Sequence, residues 1–285
     1  MSKGYIVIAQ NNATVDYLQQ AYALALNLKL TQSEVNKLTV CVDKATKRLI
    51  TDKHRQVFDC IVDIPWIDDA ENSDWKIQNK WKYYYMTPYD ETVILDTDMI
   101  FPVDVSFWWD VLSERDVWAS TSVRNFKNET VTNDYYRKVF TNNQLPNVYT
   151  AFMYFKKSEV AGELFGLAEI IFQHWERFFY LYIPNNKPDN VSGDVVFALA
   201  MKLLGVENEC TKPKLTNLPT FVHMKSKLQN SPQLNDEWTA SLPTYYHSYR
   251  DFKIGNFQQQ LPFHYVNKEW MTPAKIAQME NDYDS

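Results

Sequence analysis

Two aspartates one residue apart, Asp96 and Asp98, close the string Glu91-Thr-Val-Ile-Leu-Asp-Thr-Asp-Met-Ile-Phe-Pro102. Alternate residues of an extended chain point the same way, so both carboxylates can aim at one point while Thr97 faces away. Paired hard oxygens suit Mg²⁺ or Mn²⁺, and a cation held by one or two carboxylates completes its shell with water and phosphate oxygens. Asp-x-Asp also arises by chance in turns and at helix caps, so its surroundings must decide its meaning. Three other segments carry suitable chemistry. A basic stretch before the pair holds Lys76, Lys80 and Lys82, Phe221-Val-His223-Met-Lys225 adds an imidazole and an ammonium, and Ser192-Gly-Asp194 adds a carboxylate. A neutral imidazole is a natural further ligand for Mn²⁺ and a poorer one for Mg²⁺. His223 could equally be an ordinary strand histidine. Asp194 at a helix start could equally be a cap or first-turn acid, worth about 1 kcal/mol.

The elements that must position these groups read as alternating strands and helices. Tyr5–Ala9 is a buried strand with a polar exit, Gln10-Asn11-Asn12. A helical pattern runs from about Thr14, the expected N-cap, to Leu28. Lys37–Asp43 is a second strand ending in an acid, Phe58–Ile64 a third, and residues 73–86 read as a helix before the strand Thr92–Leu95. Further strands are expected at Asp116–Thr121, Val148–Phe155 and Thr220–Lys225, and helices at Ser158–Trp175 and 192–204. Residues 122–146 are polar and irregular, a candidate mobile loop. Such alternation predicts an α/β fold with a mostly parallel, Rossmann-like sheet flanked by helices, whose ligands bind beyond the carboxyl ends of the strands. Gln10, Asn11, Asp43, Asp96 and Asp98 all fall at such ends and can meet in one crevice.

Composition bounds the function. The 285 residues fit one large or two small domains, and 45% hydrophobic residues suffice for a substantial core. Six glycines argue against Gly-rich phosphate loops. Three cysteines without zinc spacing point to buried thiols in a reducing, cytoplasmic compartment. No apolar run approaches a membrane span, so no membrane partner is expected. The net charge of −6 offers no global attraction to nucleic acid, so a polyanion would need a local basic patch.

In order and spacing, residues 5–226 resemble the glycosyltransferases of the GT-A fold, which transfer a sugar from a nucleoside diphosphate. The resemblance implies that Ala9, Gln10 and Asn11 touch nucleobase and ribose, that Asp43 faces the uridine of a UDP donor, and that Lys80 reaches toward the donor. Asp96, Thr97 and Asp98 match the family's donor- and metal-binding string, with Asp96 and Asp98 as ligands of Mn²⁺ or Mg²⁺. Thr150 and Ala151 stand where small residues border the acceptor site. His223 resembles the third metal ligand of some families, and Lys225 a lysine for the diphosphate, although the glycine, proline and tryptophan that usually follow are missing. Asp194 matches the acid beside the anomeric carbon, the catalytic candidate. The late histidine leans toward retention of configuration.

The residue usage and compact layout also resemble the bacteriophage transferases that glycosylate hydroxymethylcytosine in DNA, in the host cytoplasm. A DNA-gripping face would use Arg124, Lys127, Arg137, Lys138, Lys225, Lys227 and Arg250. The alternative acceptor is a saccharide or glycan. A nucleotidyltransferase is disfavoured because Gln-Asn-Asn-Ala-Thr replaces the basic Gly-rich loop after the first strand. Residues 1–226 thus read as the catalytic domain and 227–285 as an extension. The extension is too aromatic to float in water and too rich in proline for one long helix, so it should pack on the acceptor side of the crevice, with only 280–285 loose.

Overall fold

The computed structural model describes residues 1–131, 137–212, 219–225 and 237–285. Its centre is a six-stranded sheet in the order β3-β2-β1-β4-β7-β6, built from β1 (Lys3–Ala9), β2 (Leu38–Val42), β3 (Cys60–Asp63), β4 (Glu91–Leu95), β6 (Val117–Ser120) and β7 (Tyr149–Lys156). The pairs β1–β2, β2–β3 and β1–β4 are parallel; β7 runs antiparallel to both β4 and β6. The expected mostly parallel α/β sheet is therefore present, with one reversed strand.

Alternation along the strands divides the core in two. Tyr5, Val7, Leu38, Val40, Val93 and Leu95 pack into one cluster, while Ile6, Cys41, Ile94, Met153 and Phe155 pack into the other. The first cluster is covered by α1 (Tyr17–Thr31) and α5 (Trp108–Ser113). The second is covered by α4 (Tyr83–Met86), α7 (Glu159–Gln173), α8 (Trp175–Tyr182) and α9 (Gly193–Leu204). A strand covered on both faces must be apolar throughout, which is why Thr92–Leu95 reads as a continuous run. Short helices α2 (Lys44–Lys47), α3 (Asp52–Val57), α6 (Lys138–Asn142) and α10 (Glu207–Thr211) complete the layers.

Two smaller sheets complete the fold. The strands β9 (Thr244–Ser248), β10 (Asp251–Ile254) and β11 (Phe257–Gln258) form an antiparallel sheet. The other small sheet has β12 (Phe263–His264) between β5 (Met99–Ile100) and β8 (Val222–His223). The chain ends in α11 (Pro273–Asp284), with Thr272 as N-cap and proline at the first helical position.

The C-terminal segment shares the first core cluster through Trp238, Phe252, Ile254, Phe263, Tyr265 and Trp270, and β12 pairs with β5, just beyond the carboxyl end of β4. The proposed domain boundary at 226–227 lies outside the described residues, as does Lys227. Residues 280–284 are helical, not loose. Glu280 accepts hydrogen bonds from Tyr22 at 3.0 Å and from Lys53 at 3.0 Å.

Two helix starts differ from the sequence reading for one reason. Asn12 Oδ1 accepts from the backbone of Thr14 and Val15, holding that stretch in a turn, so α1 begins at Tyr17 with Asp16 as its cap. Ser73 likewise bonds the backbone of Trp75, and Lys76 bonds the carbonyls of Ala70 and Glu71. The expected 73–86 helix therefore shrinks to a 3-10 turn, Gln78–Lys82, followed by α4.

Candidate active site

The carboxyl ends of β1 and β4 open into a cleft of about 680 Å³. After β4 the chain leaves the sheet in a turn at Thr97 and Asp98, so strict alternation stops at Asp96 and Thr97 lines the cleft as well. The two carboxylates still converge. Asp98 is buried, and its Oδ2 meets His264 Nε2 at 2.9 Å; Asp96 Oδ2 lies 3.8 Å from the same nitrogen. Lys268 donates to Asp98, and Lys80 donates to Asp96 Oδ1 at 2.8 Å. Burial alone would raise the Asp98 pKa, but His264 and Lys268 hold it far below the usual carboxylate range. Burial would lower the Lys80 pKa, yet Asp96 raises it above the ordinary lysine value.

Asp96, Asp98 and His264 present ligand atoms that all lie within 4.8 Å of one another. A single ion bonded at about 2.0–2.2 Å spans opposed ligands about 4.4 Å apart, so small side-chain movements would close the set around Mn²⁺ or Mg²⁺. His264 Nδ1 is buried without a hydrogen-bond partner among the described residues, and Nε2 faces the aspartates. The donor set fits a divalent cation.

His223, the expected third ligand, lies outside this close group. It pairs in register with His264 on the adjacent strand, with ring centroids 4.9 Å apart, and it lines the cleft. Its Nδ1 accepts from the Lys225 backbone N–H at 3.1 Å. Burial, then the neighbouring His264 and Arg137, push its pKa well below the ordinary histidine value, so it is neutral.

Asp194 sits in the first turn of α9, yet its carboxylate does not cap that helix. Oδ1 accepts from the Thr150 backbone at 2.9 Å and from the Thr150 hydroxyl at 2.6 Å; Oδ2 accepts from Arg137 at 2.5 Å. Arg137 also donates to Asn147 Oδ1 at 2.7 Å and to the Val148 carbonyl, and lies over the rings of Phe140 and Tyr149. Burial would raise the Asp194 pKa, but Arg137 and Thr150 bring it down to about 2. A carboxylate so firmly ionised is a weak general base at neutral pH and a good fixed negative charge.

Of the predicted residues, Gln10, Lys80, Asp96, Thr97, Asp98, Asp194, His223 and Lys225 line the cleft. Ala9 is fully buried, and Asn11 and Asp43 do not line the cleft either. Asn11 Oδ1 accepts from Leu18 N, and Asp43 Oδ1 accepts from Thr46 N to cap α2. Gln10 links Asp43, Asp68 and Asn79 into one network at the exit of β1. Sequence reading missed His264, Lys268 and residues 188–191, all of which line the cleft. The one signal for His264 was a histidine inside an apolar strand-like run, Phe263-His-Tyr265. Although the whole chain is acidic, Lys76, Lys80, Arg137, Lys225 and Lys268 face Asp96, Asp98, Asp189 and Asp194 here, a local balance suited to a phosphorylated ligand.

No family model and no curated protein match this chain. Among solved structures it is similar to the apo form of mouse xyloside xylosyltransferase 1, at 10% identity, covering 74% of this chain and 84% of that one, with a TM-score of 0.47. It is also similar to the glycosyltransferase GlyE of Streptococcus pneumoniae TIGR4, at 12% identity, 74% and 45% coverage, and a TM-score of 0.43. An active-site mutant of LgtC gives 12% identity, 69% coverage of each chain and a TM-score of 0.44. No helix among the described residues is long and apolar enough to cross a membrane.

Proposed function

We propose that this chain is a metal-dependent glycosyltransferase that moves a sugar from a nucleoside diphosphate, with UDP as the carrier, to an acceptor hydroxyl. The observation that carries the reading is the convergence of Asp96, Asp98 and His264 with Lys80 and Lys268 in one cleft at the end of β4. Asp96, Asp98 and His264 would hold the cation, with His223 beside them; the imidazole favours Mn²⁺ over Mg²⁺. When bound, the cation supplies Lewis-acid stabilisation of the charge that develops on the diphosphate. Lys80, Lys268 and Lys225 add positive charge where the leaving group departs. Gln10 at the exit of β1 contacts the nucleoside. Asp194, ionised and fixed by Arg137, stabilises and orients the positively charged sugar of an oxocarbenium-like transition state rather than removing the acceptor proton. That role accords with retention of the anomeric configuration.

The acceptor we favour is a saccharide. Of the side chains that would grip DNA phosphates, Arg137 is spent on Asp194, Arg124 donates to the Asn128 carbonyl and Arg250 to the Leu30 carbonyl. Titration of the protein with UDP, with Mn²⁺ and with chelator, tests the reading. Binding that needs the metal and collapses in Asp98→Asn supports it, whereas equal affinity with chelator overturns it. Nuclear magnetic resonance of the transferred product then reads the configuration directly.

A further inference from the structure

A second concavity of about 470 Å³ is formed by Trp66, Ile67, Asp69, Trp81, Lys82 and Tyr85, together with Glu169 and Gln173 of α7. The 3-10 turn Gln78–Lys82 serves both sites, carrying Lys80 into the catalytic cleft and Trp81 and Lys82 into this groove. Trp66 lies parallel to the buried Trp81, with centroids 5.6 Å apart and planes at 6°, yet it is 67% exposed, so its outer face meets solvent. Tyr85 stands nearly perpendicular to Trp66, at 5.2 Å and 75°, and makes a side wall. The backbone at Trp66 is left-handed, with φ of 59°, a conformation that strains any bulky residue. An exposed tryptophan in a left-handed backbone, stacked on a buried ring, is an outlier that calls for a ligand.

The polar groups of the groove narrow its chemistry. Lys82 is fully buried and paired with Asp69 at 3.1 Å, and Asp69 also accepts from the Trp81 indole at 3.0 Å, so neither offers a free charge. Glu169 and Gln173, one helical turn apart, line the same groove; Gln173 Nε2 donates to Glu169 Oε1 at 3.2 Å, and this exposed pair offers a ligand its remaining carboxylate and amide groups. The carboxylate of Glu169 disfavours phosphates and nucleic acid. The apolar surface is a single corner rather than the long stripe an amphipathic helix would need. An aromatic face with a carboxylate and an amide beside it matches a pyranose, which is apolar on one face and ringed by hydroxyls.

We propose that this groove is a saccharide-binding subsite, in which a sugar ring stacks on the outer face of Trp66 against Tyr85 and hydrogen-bonds to Glu169 and Gln173. Binding stands on the groove alone. Only the further step, that the bound chain is the acceptor, rests on the transferase reading. The experiment titrates the full-length chain, in chelator and without nucleotide, with maltohexaose, cellohexaose and chitohexaose at millimolar concentration, read by calorimetry and tryptophan fluorescence. At least one should bind saturably, and Trp66→Gly and Glu169→Ala should each weaken it by about tenfold or more. Glycine suits the left-handed backbone at position 66, and Glu169 lies on a helix surface, so both variants should keep the fold, as melting curves would check. Asp98→Asn should bind as well as the wild type. The proposal is overturned by no saturable binding to any of the three, or by binding that survives both substitutions. Failure of the transferase reading would appear separately, in the UDP and Mn²⁺ titration.

Discussion

The Asp194–Arg137 pair makes the stability of the fold depend on pH. The carboxyl titrates at about 2 in the folded chain against an ordinary value of 3.8, mainly because Arg137 and Thr150 together outweigh the cost of burial. A depressed carboxylate pKa stabilises the fold at every pH above the unfolded value, and that stabilisation is lost as pH falls through the folded value. The difference, a little under two pKa units, corresponds to about 2–3 kcal/mol at neutral pH. The side chains of Asp194 and Arg137 are 24% and 13% exposed, so solvent screens the pair only in part and this figure is an upper one. Asp194→Asn should therefore destabilise the protein by no more than about 3 kcal/mol at pH 7. The gap should stay nearly level down to about pH 4 and then narrow, reaching roughly half its size by pH 3. Urea denaturation of wild type and variant at several pH values measures it, and Arg137→Gln in both backgrounds isolates the pair. A gap that does not narrow below pH 4 would mean that the Asp194 pKa is not depressed, and a coupling near zero that Arg137 does not hold it. The second result would leave Asp194 held by Thr150 alone.

Other outcomes follow from the same geometry. Asp194→Asn should lower turnover of sugar transfer by about 10² while leaving UDP affinity nearly unchanged, as steady-state kinetics and calorimetry would report. His264→Ala should weaken Mn²⁺ binding by about ten- to a hundredfold, and His223→Ala by less, measured by metal titration of each folded variant. Gly4→Ala should cost about 1–3 kcal/mol in denaturant, because a Cβ there would lie 2.3 Å from the ring of Tyr89, a buried side chain tied to Thr39. Deleting residues 280–285 should lower stability by about 1 kcal/mol, since it removes the partner of Tyr22 and Lys53.

The parallel sheet and the converging aspartates were legible in the sequence because their signals are local. A strand buried on both faces must be apolar, and β4 delivers Asp96 and Asp98 within the next three residues, whatever the rest of the chain does. Helix starts were less legible, because Asn12 and Ser73 bond nearby backbone and their reach is a matter of geometry, not composition. The third donor was hidden altogether. His264 lies 166 residues from Asp98, on a two-residue strand that exists only because β5 and β8 flank it. His223 and His264 sit side by side in that sheet, and strand order decides which imidazole meets the aspartates, because β12 and not β8 is the neighbour of β5. Lys268 reaches Asp98 through the same return of the chain. Asp194 was visible as an acid at a helix start, but its ionisation belongs to Arg137, 57 residues away and packed between two aromatic rings. Local periodicity fixes which way a side chain faces along its own element. Non-local strand pairing and core packing fix which side chains meet across elements, and that meeting sets the charge and ligand geometry of the site.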